Sequence, residues 1–370
     1  MNTWAALGVG VLLAASAACR SSSDVTPQGR ARNVILFLGD GTGLSTVHAA
    51  SVHGYGEAQK LYIQRMPHLG FSETSSAGNW VTDSAAGMTA IVTGEKTNNG
   101  VISQSADSVR GKRDGRLLKS VLEYAEEKGL STGVVTNSPV ADATPAATFA
   151  HANERANFGE IFRFVIQPCY GDGVDVAIGP GLERIVSETQ ALGIDLAVEL
   201  PKKGFVYLQN DSDGIRRAAT DKNRLVGLFS SEDQFDLSVA TDAALDILQR
   251  NPAGFFLMVE SNNHSRNVQQ TLDRAVKMDR IIESVAKRMA GTNTLILFTA
   301  DHSYDMRLSG SAPKGQSIVG AMAVEGRHAG EEVLVTAQGP GAERVHGFFP
   351  NTHLFDIMMD AYGWERTSHR

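Results

Sequence analysis

Three apolar runs in this chain end in groups that bind cations. Asn33-Val34-Ile35-Leu36-Phe37-Leu38 leads through Gly39 to Asp40. A second run, 254–259, ends in Glu260 with His264 just beyond, and a third, 294–299, leads to Asp301 and His302. His328 stands ahead of a fourth run, 333–337. Mixed imidazole and carboxylate ligands suit zinc, whereas a carboxylate and hydroxyl set such as Asp40, Thr144 and Glu260 suits magnesium. Taken singly, Asp40 reads equally as a turn residue and any one histidine as a satisfied structural group. Their shared position behind apolar runs is what a bland reading leaves unexplained.

Two further residues could act on an anion. Ser84 lies in Val81-Thr82-Asp83-Ser84-Ala85-Ala86-Gly87, where Asp83 and Ser84 both favour a helix start. A helix N-terminus offers free N–H groups and a positive dipole end, and the small residues after Ser84 leave its hydroxyl open to a phosphate. By itself the pair is an ordinary cap. Arg155, beyond Asp142, could simply pair with Glu154 or Glu160, but its planar fork also matches the paired oxygens of a phosphate.

The apolar runs before Asp40, Glu260 and Asp301 have the continuous pattern of strands buried on both faces. In a parallel sheet the C-terminal ends of such strands share one edge, so these groups should converge there. The pattern also predicts a strand at 132–136, a helix at 117–128 closed by Gly129, and a helix in which Pro145 occupies the first turn. Strands are expected near 174–181 and 204–208 and a helix at 242–249, closed by Pro252. Otherwise 158–242 carries little signal.

The chain has 370 residues, 42% of them hydrophobic, enough for a sizeable core. A net charge of −7 without a long basic run argues against nucleic acid as a partner. Residues 1–19 read as a signal segment, apolar and too short to span a bilayer, with small residues before Cys19 that resemble a lipoprotein cleavage site. A lipidated Cys19 would anchor an exported, periplasmic or cell-envelope protein to a membrane; a plain secretory signal or an uncleaved anchor is the simpler alternative. Residues 20–32 would form a tether and 33–370 a single domain. Past Cys19 only Cys169 remains, so no intrachain disulfide is expected.

On Leu38-Gly39-Asp40-Gly41, Thr82-Asp83-Ser84-Ala85-Ala86, Asp142-Ala143-Thr144-Pro145-Ala146-Ala147, Thr299-Ala300-Asp301-His302 and His328-Ala329-Gly330-Glu331, the chain resembles the alkaline phosphatases. The resemblance runs from Asn33 to about Tyr362. It implies an α/β fold, a three-layer α/β/α sandwich with a central, mostly parallel sheet, and hydrolysis of small-molecule phosphate monoesters through a phosphoserine. It further implies Ser84 as nucleophile and Arg155 as phosphate holder, with two zinc ions and one magnesium. Asp40, Asp301 and His302 would bind the zinc that activates Ser84; His264 and His328 would bind the second. Asp40, Thr144 and Glu260 would hold magnesium, with Asp142 supporting its water shell. A homodimer is also implied.

One departure stands out. Between Glu260 and His264 there is only Ser261-Asn262-Asn263, so the aspartate that the family places there as a second zinc ligand is missing. Asn262, Asn263 or water would have to substitute, and a neutral ligand should loosen that site and make activity depend more on added zinc. The nearest alternatives are a phosphodiesterase of the same superfamily and a lipid-anchored phosphate- or metal-binding protein with weakened turnover. A Ser-His-Asp hydrolase is disfavoured, because Thr82 and Ala86 occupy the glycine positions of its nucleophile elbow.

Overall fold

The computed structural model describes Met1 and residues 29–366; the signal segment, Cys19 and most of the expected tether lie outside the described residues. Its strands are β1 (Asn33–Asp40), β2 (His68–Ser72), β3 (Ser131–Thr136), β4 (Val176–Pro180), β5 (Val206–Gln209) and β6 (Leu225–Phe229). They continue with β7 (Phe255–Asn262), β8 (Thr294–Thr299), β9 (Met306–Leu308), β10 (Met322–Val324), β11 (Val333–Gln338) and β12 (Gly347–Phe349). Ten form one sheet in the order β12-β2-β11-β8-β1-β7-β3-β4-β6-β5, and β9 pairs with β10 apart from it. All neighbours in the large sheet are parallel except those of β11, which runs against β8 and β2.

The central strands bury both faces, as their unbroken apolar sequences require. Along β1, Val34, Leu36 and Leu38 face a layer containing the helices Ser84–Thr93, Ala143–Phe149 and His353–Tyr362. Ile35 and Phe37 face the opposite layer, with the helices Leu44–Tyr55, Leu237–Leu248 and Val268–Arg288. Helix, sheet and helix thus form the expected three layers, an arrangement set by strand periodicity. Ala31 is already buried and its N–H bonds the Ala361 carbonyl at 2.7 Å, so chain packing begins just ahead of β1.

Register brings the chemistry together. Leu38 stands opposite Glu260 on β7 and opposite Thr299 on β8, while Thr136 at the end of β3 stands opposite Glu260. Asp40 and Asp301 each follow two residues after a matched pair. The pleat sends Asp40, Glu260 and Thr136 toward the Ser84 helix, the same face as Leu38, Met258 and Val134.

Local expectations mostly hold, with shifted ends. The helix expected at 117–128 begins only at Val121. Upstream, Leu118 N–H bonds the Ser103 carbonyl at 2.9 Å, which holds the chain extended until Ser120. There a capping box starts the helix: the Ser120 hydroxyl accepts from Glu123 N–H, and the Glu123 carboxylate accepts from Ser120 N–H. The helix expected at 242–249 starts earlier, at Leu237, where the Asp236 side chain accepts from Ser238 N–H.

Candidate active site

Asp83 is the N-cap of the helix Ser84–Thr93; its carboxylate accepts from Ala86 N–H at 3.1 Å. Every residue of that helix is buried. Its small side chains permit this, since a Cβ on Gly87 would sit 3.1 Å from Asp301 Cβ. The close approach sets Ser84, the first helical residue, against the strand ends. Its Oγ lies 3.2 Å from His302 Nε2 and 3.4 Å from Asp40 Oδ2.

Two groups of ligand atoms converge here. Asp40, Asp301 and His302 form one and His264, His302 and His328 the other, each with its atoms within 4.8 Å of one another. His302 therefore belongs to both, whereas the sequence placed it with the two aspartates alone. Asp40 Oδ1, Asp301 Oδ2 and His264 Nε2 are buried and make no hydrogen bond. His264 Nε2 approaches Asp40 Oδ1 to 2.9 Å as an ionic contact without hydrogen-bond geometry. Three buried atoms that make no hydrogen bond, all of types that ligate cations and gathered in one cluster, fit divalent metal.

The ring tautomers agree. His302 Nδ1 lies 3.0 Å from the Ser303 carbonyl and His328 Nδ1 3.0 Å from the Thr82 carbonyl. A carbonyl only accepts, so each Nδ1 carries the proton and each Nε2 presents a lone pair to the cluster. Burial pushes the His302 imidazole down to about 3, against the pull of the Asp40 charge. His328 is likewise lowered, chiefly by burial. Burial, then the Asp40 charge, hold the Asp301 and Glu260 carboxyls well above their ordinary range. For Asp40 burial acts upward too, but His264 beside it outweighs this and holds the carboxyl far below its ordinary range.

Beside this cluster, the Thr136 hydroxyl donates to Glu260 Oε2, and the Thr144 hydroxyl also favours the ionised form of Glu260. Thr136 is a site residue the sequence reading missed, although it ends an expected strand just as Glu260 does. Asp142 caps the helix Ala143–Phe149, accepting from Ala143 N–H at 2.8 Å. The same carboxylate oxygen takes one arm of the Arg155 fork at 3.0 Å, while the other arm reaches Asp83 Oδ2 at 3.1 Å. Arg155 thus avoids Glu154, which pairs instead with Arg110 at 2.8 Å.

The short connection after Glu260 supplies no carboxylate. Asn263 donates from its side chain to the Thr42 hydroxyl at 2.8 Å and accepts from Ser261 Oγ at 3.2 Å. Asn262 Oδ1 accepts from His264 N–H at 2.9 Å. Both amide carbonyls thus accept a hydrogen bond within the loop.

A family model described as alkaline phosphatase matches residues 31–327, most of the chain. The chain belongs to the alkaline phosphatase family. The alkaline phosphatase of Gadus morhua is 30% identical over 394 residues, covering 90% of this chain and 82% of that protein. The tissue-nonspecific isozyme of Rattus norvegicus is 29% identical over 391 residues, covering 90% and 75%. Among solved structures, the alkaline phosphatase of the Antarctic bacterium TAB5 matches with a TM-score of 0.75 and 26% identity, over 92% of this chain and all of that one (100%). The Thermus thermophilus enzyme, at 20% identity, shares the fold with a TM-score of 0.78 over 96% of each chain. This phosphatase is accordingly a hydrolase, and its His and Asp cluster is of the kind that serves a metal-dependent member of the family.

Proposed function

We propose that this phosphatase hydrolyses small-molecule phosphate monoesters to alcohol and inorganic phosphate through a phosphoserine at Ser84. The observation that carries the reading is the Ser84 hydroxyl at a helix N-terminus, 3.2 Å from His302 Nε2 and 3.4 Å from Asp40 Oδ2. Ser84 gives up its hydroxyl proton to solvent and its Oγ forms a bond to phosphorus as the bond from phosphorus to the ester oxygen breaks; that oxygen takes a proton from solvent and leaves as the alcohol. Water then displaces Ser84 from phosphorus and releases phosphate. The Arg155 fork donates to two phosphoryl oxygens, and the free N–H groups at the helix start face the same negative charge. Asp83 and Asp142 keep that fork extended before substrate arrives, which lowers the ordering cost of binding.

Asp40, Asp301 and His302 would hold one zinc and His264 with His328 a second. Asp40, Thr144 and Glu260, with Asp142 nearby, would hold magnesium. Divalent metal in such sites lowers the pKa of a coordinated hydroxyl and offsets phosphoryl charge. A variant of the TAB5 enzyme binds magnesium in its M3 site, which supports the magnesium part of this reading. Export, lipid anchoring at Cys19, a single catalytic domain from residue 33 and a homodimer belong to the same proposal. Mass spectrometry of the mature N-terminus and light scattering test the anchor and the dimer.

The deciding experiment compares wild type with Ser84→Ala on an aryl phosphate monoester and on a diester, with zinc and magnesium present or chelated. Metal-dependent monoester turnover that collapses in Ser84→Ala, with acid-stable phosphate trapped on Ser84 of the wild type, is expected. Faster turnover of the diester would overturn the substrate class, and full activity in Ser84→Ala would overturn the mechanism.

A further inference from the structure

Three imidazoles meet in the cluster, and they are not held alike. His302 and His328 each fix their ring through Nδ1 on a backbone carbonyl, at 3.0 Å in both cases. Among the described residues no hydrogen bond reaches Nδ1 of His264; its backbone N–H bonds Asn262, and its ring has an ionic contact with Asp40 and lies against the rings of His302, 5.0 Å away and 18° from parallel, and His328, 5.1 Å away. Such an outer hydrogen bond is the usual means by which a metal-binding histidine is kept in orientation. His264 also sits on the loop shortened by the missing aspartate.

What His264 has instead is an aromatic face. The Tyr304 ring lies against it with centroids 4.6 Å apart and planes 22° from parallel, a stacked pair. Behind it, Gly41 has a φ of +73°, and a Cβ there would lie 2.3 Å from His264 Cδ2 and 3.2 Å from Tyr304 Cβ. The imidazole thus packs against a bare backbone, the phenol ring of Tyr304 and the ring of His302. Tyr304 itself follows directly on Asp301-His302-Ser303, so the chain that delivers two ligands also delivers the wall for a third.

We infer that Tyr304 is a positioning residue for His264: its ring, by stacking, does what a hydrogen bond does for His302 and His328. The inference rests on the reading of His264 as a metal ligand. Stacking depends on the ring face and not on the hydroxyl, so phenylalanine should replace tyrosine and a non-aromatic residue should not.

The test is zinc binding itself, read by competition with a chromogenic chelator on wild type, Tyr304→Phe, Tyr304→Ala and His264→Ala. The Ala variant should weaken one zinc equivalent by about tenfold, the usual scale for losing a ligand's support. Tyr304→Phe should bind within about threefold of wild type, and His264→Ala should lose that equivalent altogether. Should Tyr304→Ala fold poorly by far-UV circular dichroism, Tyr304→Leu fills the space without an aromatic face and should show the same loss. Zinc binding by Tyr304→Ala or Tyr304→Leu that equals wild type, beside a weakened His264→Ala, overturns the inference alone. A Phe variant as weak as the Ala variant also overturns it, by making the hydroxyl the active feature. Unchanged binding in His264→Ala overturns the underlying ligand reading.

Discussion

Arg155, proposed above to hold phosphate, shows how such a side chain can be aimed before substrate is present. Burial alone would lower its pKa, but Asp142 and Asp83 outweigh that and hold the guanidinium charged, above its ordinary range. Both carboxylates are themselves helix caps, so the fork is tied to two helix starts at once. Lysine would keep the charge and lose the fork. We expect Arg155→Lys to lower kcat/KM for an aryl phosphate by about 10–100-fold, the worth of a lost charged hydrogen bond, with a comparable rise in Ki for inorganic phosphate. An unchanged phosphate Ki would show that Arg155 does not touch the anion. A second residue governs stability and not chemistry. Glu126 is buried against Thr132, and burial, reinforced by Asp175 and Asp172, pushes its carboxyl up to about 9. Unfolded, that carboxyl ionises near 4.5. The folded state therefore keeps a proton that the unfolded state loses, and the associated stability is complete below pH 4.5 and lost as pH rises through 9. Glu126→Gln removes this loss, so its Tm should exceed that of wild type by a few degrees at pH 9 and match it near pH 4.5, on calorimetry.

Elements matter through the turns that end them. The turn from β1 into the helix Leu44–Tyr55 must pass under the His264 ring, and Gly41 makes this possible with a positive φ and no side chain. Gly41→Ala meets both penalties: a left-handed backbone that alanine resists and a Cβ that overlaps the imidazole. We expect activity to fall more than tenfold with weaker zinc binding, while circular dichroism still reports an intact sheet. Wild-type zinc affinity in this variant would mean that the ring can shift without cost. The helix Ser84–Thr93 makes the complementary point. It carries almost no amphipathic signal, because its packing demand is closeness on all sides, met by Ala85, Ala86 and Gly87.

At the scale of the whole molecule, the site is also a stability problem. The register of β1, β7 and β8 gathers Asp40, Glu260 and Asp301 at one buried edge. Three carboxyl groups there repel one another or hold protons, and two of their buried oxygens, on Asp40 and Asp301, make no hydrogen bond. A bound cation relieves this only in the folded state, so metal should stabilise by mass action, about 2.7 kcal/mol per site at a hundredfold excess over Kd. Chelation should lower the Tm by several degrees and zinc should restore it; the Asp301→Asn variant should show a smaller drop. A Tm indifferent to chelator would mean that the folded chain holds no tight metal.

Much of this protein is local, and what is local was legible in the sequence. A buried parallel strand needs an unbroken apolar run, and an acid directly behind such a run must emerge at the sheet edge, so Asp40, Glu260 and Asp301 could be read from their neighbours alone. Ser84 was legible for the same reason, since a cap and its small-residue helix are consecutive in the chain. Strands β2 and β12 went unread because they are short, glycine-bearing and only partly buried, which leaves no periodic pattern. The partnerships were decided by tertiary structure. That Arg155 takes Asp83 and Asp142 and not Glu154, that Thr136 supports Glu260, that His302 serves two clusters and that Tyr304 backs His264 all depend on contacts between segments far apart in sequence. Register and layer packing choose such contacts, because a side chain finds its partner by distance in space, which no single stretch of sequence encodes.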